Sequence, residues 1–293
     1  MKKIILYIIS CLCLPCVLKA QDVRFPLPEV PLVLSKPADK ANYVALHYWD
    51  HFDFKDNSLI EKSEITEQGW VEFISLVSQV TERKEAFAAF AQHMTENPKM
   101  QAYFLELSEH YLFDNFSPVY DEELYLLLVD EMLKQSSLSL VQRERLRYQR
   151  RWILKNRVNQ PVTDFSFMQR NGKRMNLKEV KAEYILLYLN DPECSACQQT
   201  KEALLQSDIL ARWKDSGRMK FLSVCTEGNT EGWKNIPAPQ GWIDGCDDQK
   251  RLLEEDLYDL RNLPAIYLLD AEKRVLLKNA TVSRLEEYME MGR

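Results

Sequence analysis

The stretch Tyr184-Ile185-Leu186-Leu187-Tyr188-Leu189-Asn190-Asp191-Pro192-Glu193-Cys194-Ser195-Ala196-Cys197 decides the fold of the second half of this chain. Residues 184–189 read as an apolar strand. Asn190 to Glu193 reads as a turn, and Gln198 to Ser207 carries a helical pattern. The first thiol therefore sits at a helix N-terminus, where unpaired backbone N–H groups and the macrodipole favour a thiolate. Asp191 and Glu193 push the other way, which leaves the redox potential open. The second thiol, three residues on, returns to the same helix face one turn later. Two thiols so placed close and open a disulfide with little backbone movement, the layout of a dithiol redox centre. In that role Cys194 is the nucleophile and Cys197 resolves the mixed disulfide.

Upstream, Phe165 to Met168, a turn at Asn171-Gly172 and Lys173 to Asn176 read as a hairpin. Downstream, Met219 to Val224 reads as the next strand, followed by a stretch with Trp233, Pro237, Pro239 and Trp242. A helix is expected over 248–260, then Leu263-Pro264, a strand from Ala265 to Leu269, a strand from Arg274 to Leu277 and a helix from Ser283. This alternation predicts an α/β domain over 159–293, a central mixed sheet flanked by helices.

Residues 38–158 read as an all-α domain of five or six helices. Trp70, Phe73, Ile74 and Val77 follow helical spacing, as do Phe87, Phe90, Ala91 and Met94. Asn97-Pro98 and Ser117-Pro118 each place a capping residue before a proline at the first helical position. Ser139 with Gln142 forms a capping box. The aromatic run Tyr43, Tyr48, Trp49, Phe52 and Phe54 reads as bundle core. Residues 21–37 are an extended, Pro-rich lead-in.

Residues 1–20 read as a signal peptide: Lys2-Lys3, an apolar run from Ile4 to Leu18, and Ala20 before the cleavage point. The run is short for a membrane span. Ile8-Ile9-Ser10-Cys11 loosely fits a lipobox, so a lipid-anchored envelope form stands beside a free periplasmic one. Loss of Lys2, Lys3 and Lys19 with the signal takes the net charge from −6 to −9. No basic block or basic-aromatic interleaving points to nucleic acid.

Cys11, Cys13 and Cys16 leave with the signal, so the mature chain keeps Cys194, Cys197, Cys225 and Cys246. Cys225 ends a strand and reads as a small buried hydrophobe. Cys246, in Asp244-Gly245-Cys246-Asp247, reads as an exposed loop residue. Whether the two pair is open at this level. A four-cysteine zinc site lacks a second Cys-x-x-Cys. All four histidines, His47, His51, His93 and His110, lie in the helical half. His47 and His51 are four apart, but Tyr48 follows His47, so the His-Glu-x-x-His pattern is absent and a helix face is the plainer reading. Asp191, three residues before Cys194, does not suit a peroxiredoxin. No metal or dissociable cofactor is expected.

Three blocks resemble the thioredoxin fold, in its exported branch similar to TlpA and ResA. Asp164 to Phe167 with Asn171-Gly172-Lys173 and Leu177 resembles the opening hairpin. Ile185 to Cys197 resembles the redox strand and motif. Asn262-Leu263-Pro264-Ala265-Ile266-Tyr267-Leu268-Leu269-Asp270 resembles the cis-proline loop and following strand. The resemblance implies a cis bond before Pro264 and a place for it in the site beside Cys194 and Cys197. Two residues depart from the pattern: Leu263 stands where Thr or Val is usual, and Tyr188 where thioredoxin carries a buried Asp. The helical half, with Tyr48-Trp49-Asp50-His51-Phe52-Asp53, is similar to a domain of unknown function that precedes such domains in exported bacterial proteins.

The expected function is an exported thiol–disulfide oxidoreductase acting on cysteine-containing envelope proteins, with a partner dithiol protein giving or taking electrons. The alternative is a non-catalytic thioredoxin-fold binding or scaffold protein whose helical domain recruits a partner.

Overall fold

The computed structural model describes residues 25–291. The signal read over 1–20, with its three cysteines, lies outside them. The first half builds helices α1 (Pro37–Leu46), α2 (Ser63–Val77), α3 (Arg83–Met94), α4 (Pro98–Leu112), α5 (Glu122–Met132) and α6 (Leu140–Ile153). Local capping sets their starts. Asn97 accepts from the Lys99 N–H at 3.0 Å with Pro98 in the first turn. Ser139 and Gln142 cap each other reciprocally. The start expected at Ser117-Pro118 falls four residues later. Asp121 accepts from the N–H groups of both Glu123 and Leu124 at 3.0 Å, whereas Ser117 closes only a local turn.

Trp49, Trp70, Phe73, Phe87, Phe90 and Phe104 form the centre of the bundle and are almost wholly buried. The segment 47–50 is not the helix face expected from the histidine spacing. Helix α1 stops at Leu46, and Asp50 lies 2.7 Å from His47 Nδ1 and 3.3 Å from His93 Nε2. Part of the lead-in is docked rather than free: Phe25 stacks on Tyr48 with ring centroids 4.7 Å apart. It fits because Gly69 has no side chain; a Cβ there would meet the Phe25 ring at 2.5 Å.

The second half is a seven-stranded sheet in the order β2-β1-β5-β4-β3-β6-β7. The strands are β1 (Ser166–Gln169), β2 (Arg174–Asn176), β3 (Tyr184–Asn190), β4 (Met219–Cys225), β5 (Ile243–Cys246), β6 (Ala265–Leu269) and β7 (Val275–Lys278). β3, β4 and β5 run parallel; the remaining pairs are antiparallel. Helices α7 (Ser195–Gln206), α8 (Asp208–Asp215), α9 (Glu231–Asn235), α10 (Arg251–Glu254) and α11 (Val282–Met291) complete the chain. β3 is apolar from Tyr184 to Leu189, as suits a strand with both faces covered. Ile185, Leu187 and Leu189 enter one core with Phe167, Val224 and Tyr267. Leu186 and Tyr188 enter the other with Leu204, Phe221 and Trp242.

The polar tetrapeptide Asp244-Gly245-Cys246-Asp247 is largely strand, not loop. β5 inserts between β1 and β4, and Gly245 permits it, since a Cβ there would meet Phe167 at 2.6 Å. The helix expected over 248–260 shrinks to α10, bounded by Lys250 and Asp256 at positive φ.

The halves meet at a buried ion pair. Lys278, the last residue of β7, is 2 % exposed at its side chain and lies 2.7 Å from Glu122 at the start of α5. Its ammonium also donates to the carbonyls of Trp152 at 2.9 Å and Ile153 at 3.3 Å, at the negative end of α6. All three of its protons are thereby used. Around this pair, Asn156 donates to the Leu257 carbonyl at 3.0 Å and Arg284 to the Tyr120 carbonyl at 3.1 Å. Replacing Lys278 by Met leaves the Glu122 carboxylate buried without its partner. Urea unfolding of Lys278→Met is expected to show a loss of about 3–5 kcal/mol, and the double variant with Glu122→Leu is expected to recover much of it.

Candidate redox site

The end of β3 is pinned to β4 by the Asn190 amide, which donates to Ser223 Oγ at 3.1 Å and the Val224 carbonyl at 3.2 Å. The turn that follows is built by Asp191. Its side chain accepts from the Glu193 N–H at 2.9 Å and its carbonyl from the Cys194 N–H at 3.2 Å. Cys194 then takes the capping position of α7. Its sulfur accepts from the Cys197 N–H at 3.1 Å, the role a Ser or Asp oxygen plays in an ordinary cap. The same sulfur lies 3.8 Å from the Leu263 carbonyl. The Leu263–Pro264 peptide is cis and leads straight into β6. Residues 69 apart in the chain thus meet at one sulfur.

The two thiols are unequal. Cys194 is half-buried; Cys197 is 2 % exposed. Burial pushes the Cys197 thiol up to about 12, and its hydrogen bond with Cys194 adds to the rise. Tyr188 lies beneath, its hydroxyl donating to the Cys197 carbonyl at 2.5 Å. Burial raises that phenol well above its usual range, so it stays a donor. The place where a carboxylate was missed in the sequence is therefore occupied by a neutral group that holds the first turn of α7.

The helical half reaches the site. A groove of about 610 Å³ beside the motif is lined by Asn115 and Phe116 from the loop after α4, Ala196 and Ala203 from α7, and Leu263 and Pro264. Phe116 is 76 % exposed at its rim. Sequence reasoning missed Asn115 and Phe116 because the loop sequence carries no signal of the distant elements, α7 and the Leu263-Pro264 loop, that it meets. None of His47, His51, His93 and His110 lines this groove. Among the described residues, no group of three or more His, Cys, Asp or Glu is arranged to hold a metal ion.

Cys225 and Cys246 are not part of the groove. Cys246, expected to be exposed, is fully buried on β5, because that strand lies inside the sheet. Burial raises the Cys225 thiol to about 11 and the Cys246 thiol to about 12.

These thiols make the stability of the reduced protein depend on pH. Each has a folded-state value above its ordinary value near 9, so each stabilises the fold below that pH and loses this as pH rises through the folded value. Denaturation of the reduced protein is expected to show falling stability from about pH 9 upward, with a shallower fall in Cys197→Ala.

Comparison with known proteins agrees with this architecture. The family model described as a domain of unknown function, DUF5106, matches residues 12–156. A crystal structure of a thioredoxin-like protein from Bacteroides caccae is 32 % identical with a TM-score of 0.80, covering 92 % of this chain and 99 % of that one. The C-terminal domain of an uncharacterized Bacteroides fragilis protein is 33 % identical with a TM-score of 0.45, covering 46 % of this chain and 98 % of that one. A conserved Bacteroides fragilis protein of unknown function is 30 % identical with a TM-score of 0.43, covering 45 % and 98 %. No curated protein matches the chain. With a relative of this identity matched over nearly its whole length, the chain belongs to the thioredoxin-like proteins, its thioredoxin-like half preceded by a DUF5106 domain.

Proposed function

We propose that the protein is an exported thiol–disulfide oxidoreductase whose Cys194–Cys197 pair exchanges electrons with cysteine pairs of other envelope proteins. One observation carries this reading. A half-buried sulfur at the capping position of a helix has a buried second thiol one turn away, under a cis-proline loop. In the reductive direction, the Cys194 thiolate attacks one sulfur of a substrate disulfide. The other substrate sulfur leaves as a thiolate and takes up a proton. Cys197 loses its proton and attacks Cys194, releasing the second substrate thiol and leaving the Cys194–Cys197 disulfide. Two electrons have passed to the substrate, and a partner dithiol protein restores the pair. The oxidative direction is the same sequence reversed.

The asymmetry of burial supports this division of labour, because substrate reaches Cys194 and not Cys197. The groove supports a polypeptide substrate, since it opens along Ala196 of the motif and the Leu263-Pro264 loop and has room for side chains flanking a cysteine. The basic and apolar pattern of residues 1–20 supports action outside the cytoplasm. Pro264 and Leu263 are positioning residues whose backbone borders the reacting sulfur.

Reduction of a model protein disulfide with a dithiol as electron source tests the reading. Wild type is expected to accelerate it well above background and Cys194→Ser to abolish the gain. Cys197→Ser is expected to accumulate a mixed disulfide at Cys194, seen as a mass increase removed by dithiothreitol. Background rates for wild type, with no adduct on Cys197→Ser, would favour the scaffold alternative.

A further inference from the structure

Met168, Cys246, Cys225 and Asn190 are register partners across β1, β5, β4 and β3, so their side chains form one row on the same face of the sheet. Within that row, Cys225 and Cys246 are direct partners on adjacent parallel strands. Strands in a sheet lie about 4.8 Å apart, and that spacing falls within the Cα separation of roughly 4.4–6.8 Å that a disulfide spans. Both thiols are at most 1 % exposed, and they pack with Trp233 and Met168 in a small cluster of their own. Each is the last residue of its strand. β5 continues into the turn 247–250, whose backbone adjusts more readily than a strand interior. The redox chemistry described above leaves these two thiols unused.

We propose that Cys225 and Cys246 form a second, buried disulfide that staples β4 to β5. Solvent does not reach the thiols in the folded protein, so the bond forms while the chain is folding. One thiolate attacks a small-molecule disulfide such as oxidised glutathione, releasing one glutathione thiol and leaving a mixed disulfide. The other cysteine displaces the second glutathione as the strands pair. Two cysteine thiols are oxidised, one disulfide is reduced to two thiols, and the two protons pass to them. The loop so closed contains α9, Trp233, Pro237 and Pro239. Trp233, Pro237 and Pro239 line the polar cleft behind Cys197 together with Tyr188 and Ser223. The bond therefore fixes the back wall of the redox site while taking no part in exchange. Its burial also separates it kinetically from Cys194–Cys197, whose first sulfur is reachable.

Peptide mapping tests this independently of the activity at Cys194. The full chain is reduced, unfolded, refolded in a mixture of reduced and oxidised glutathione, then denatured with iodoacetamide and cut with trypsin. Cleavage after Lys181, Lys201, Lys220, Lys234 and Lys250 puts Cys194 and Cys197 on one peptide, Cys225 on 221–234 and Cys246 on 235–250. A cross-linked species joining 221–234 to 235–250 in most molecules is expected. Native dithiothreitol is then expected to open Cys194–Cys197 at least tenfold faster than this link. Alkylated Cys225 and Cys246 in the refolded protein, or either one joined to Cys194 or Cys197, would overturn the proposal, as would equal rates of opening. Failure of Cys194–Cys197 to oxidise would bear on the proposed function instead, and it is read from a different peptide.

Discussion

The architecture depends on one charge taken out of water. Lys278 ends a strand of the redox half, yet its ammonium is satisfied only by groups of the helical half: the Glu122 carboxylate and the last carbonyls of α6. A buried charge tolerates little displacement, because each lost contact returns a desolvation cost that no water offsets. The pair therefore sets the position of α5 and of the loop before it. That loop carries Asn115 and Phe116 to the edge of the groove beside Ala196 and the Leu263-Pro264 loop. Arg261 reinforces the arrangement, its guanidinium over the Phe113 ring at 4.8 Å and ion-paired with Asp259 at 2.6 Å. The ion pair and the rim of the groove are thus linked through α5 and the loop before it.

At the centre of the site, the two sulfurs differ in burial. One sulfur is half-buried at the cap of α7, and the other is held in an apolar layer in its first turn. Tyr188 anchors that turn through the Cys197 carbonyl without adding a charge beside the thiols. Burial is the largest influence on the protonation of Cys197, ahead of its hydrogen bond with Cys194 and the charge of Asp191.

Much of this was legible in the chain. The hairpin around Gly172, the redox strand, the Cys-Ser-Ala-Cys turn and the Leu263-Pro264 loop each carry a local signal: a turn residue, an apolar run, a spacing. The caps at Asn97 and Ser139 were readable for the same reason. What escaped reading depends on contacts made at long range. β5 has the composition of a loop, and Gly245 earns its place in a strand only because Phe167 packs against it. Cys246 is buried by the strands on either side, not by its own neighbours in sequence. The Ser117-Pro118 pair looked like a helix start, but Asp121 offers two backbone N–H groups a better acceptor. Asn115 and Phe116 acquire meaning only once the two halves have docked.

The docked arrangement also bears on what a part of this molecule represents. An excised thioredoxin-like half would retain both thiols, the cis-proline loop and the sheet. It would also expose Lys278 without Glu122 and Arg284 without the Tyr120 carbonyl, two cationic groups that the helical half covers in the whole chain. The rim supplied by Phe116 would be gone. Binding measured on such a fragment would report on the same two sulfurs in a different surrounding surface.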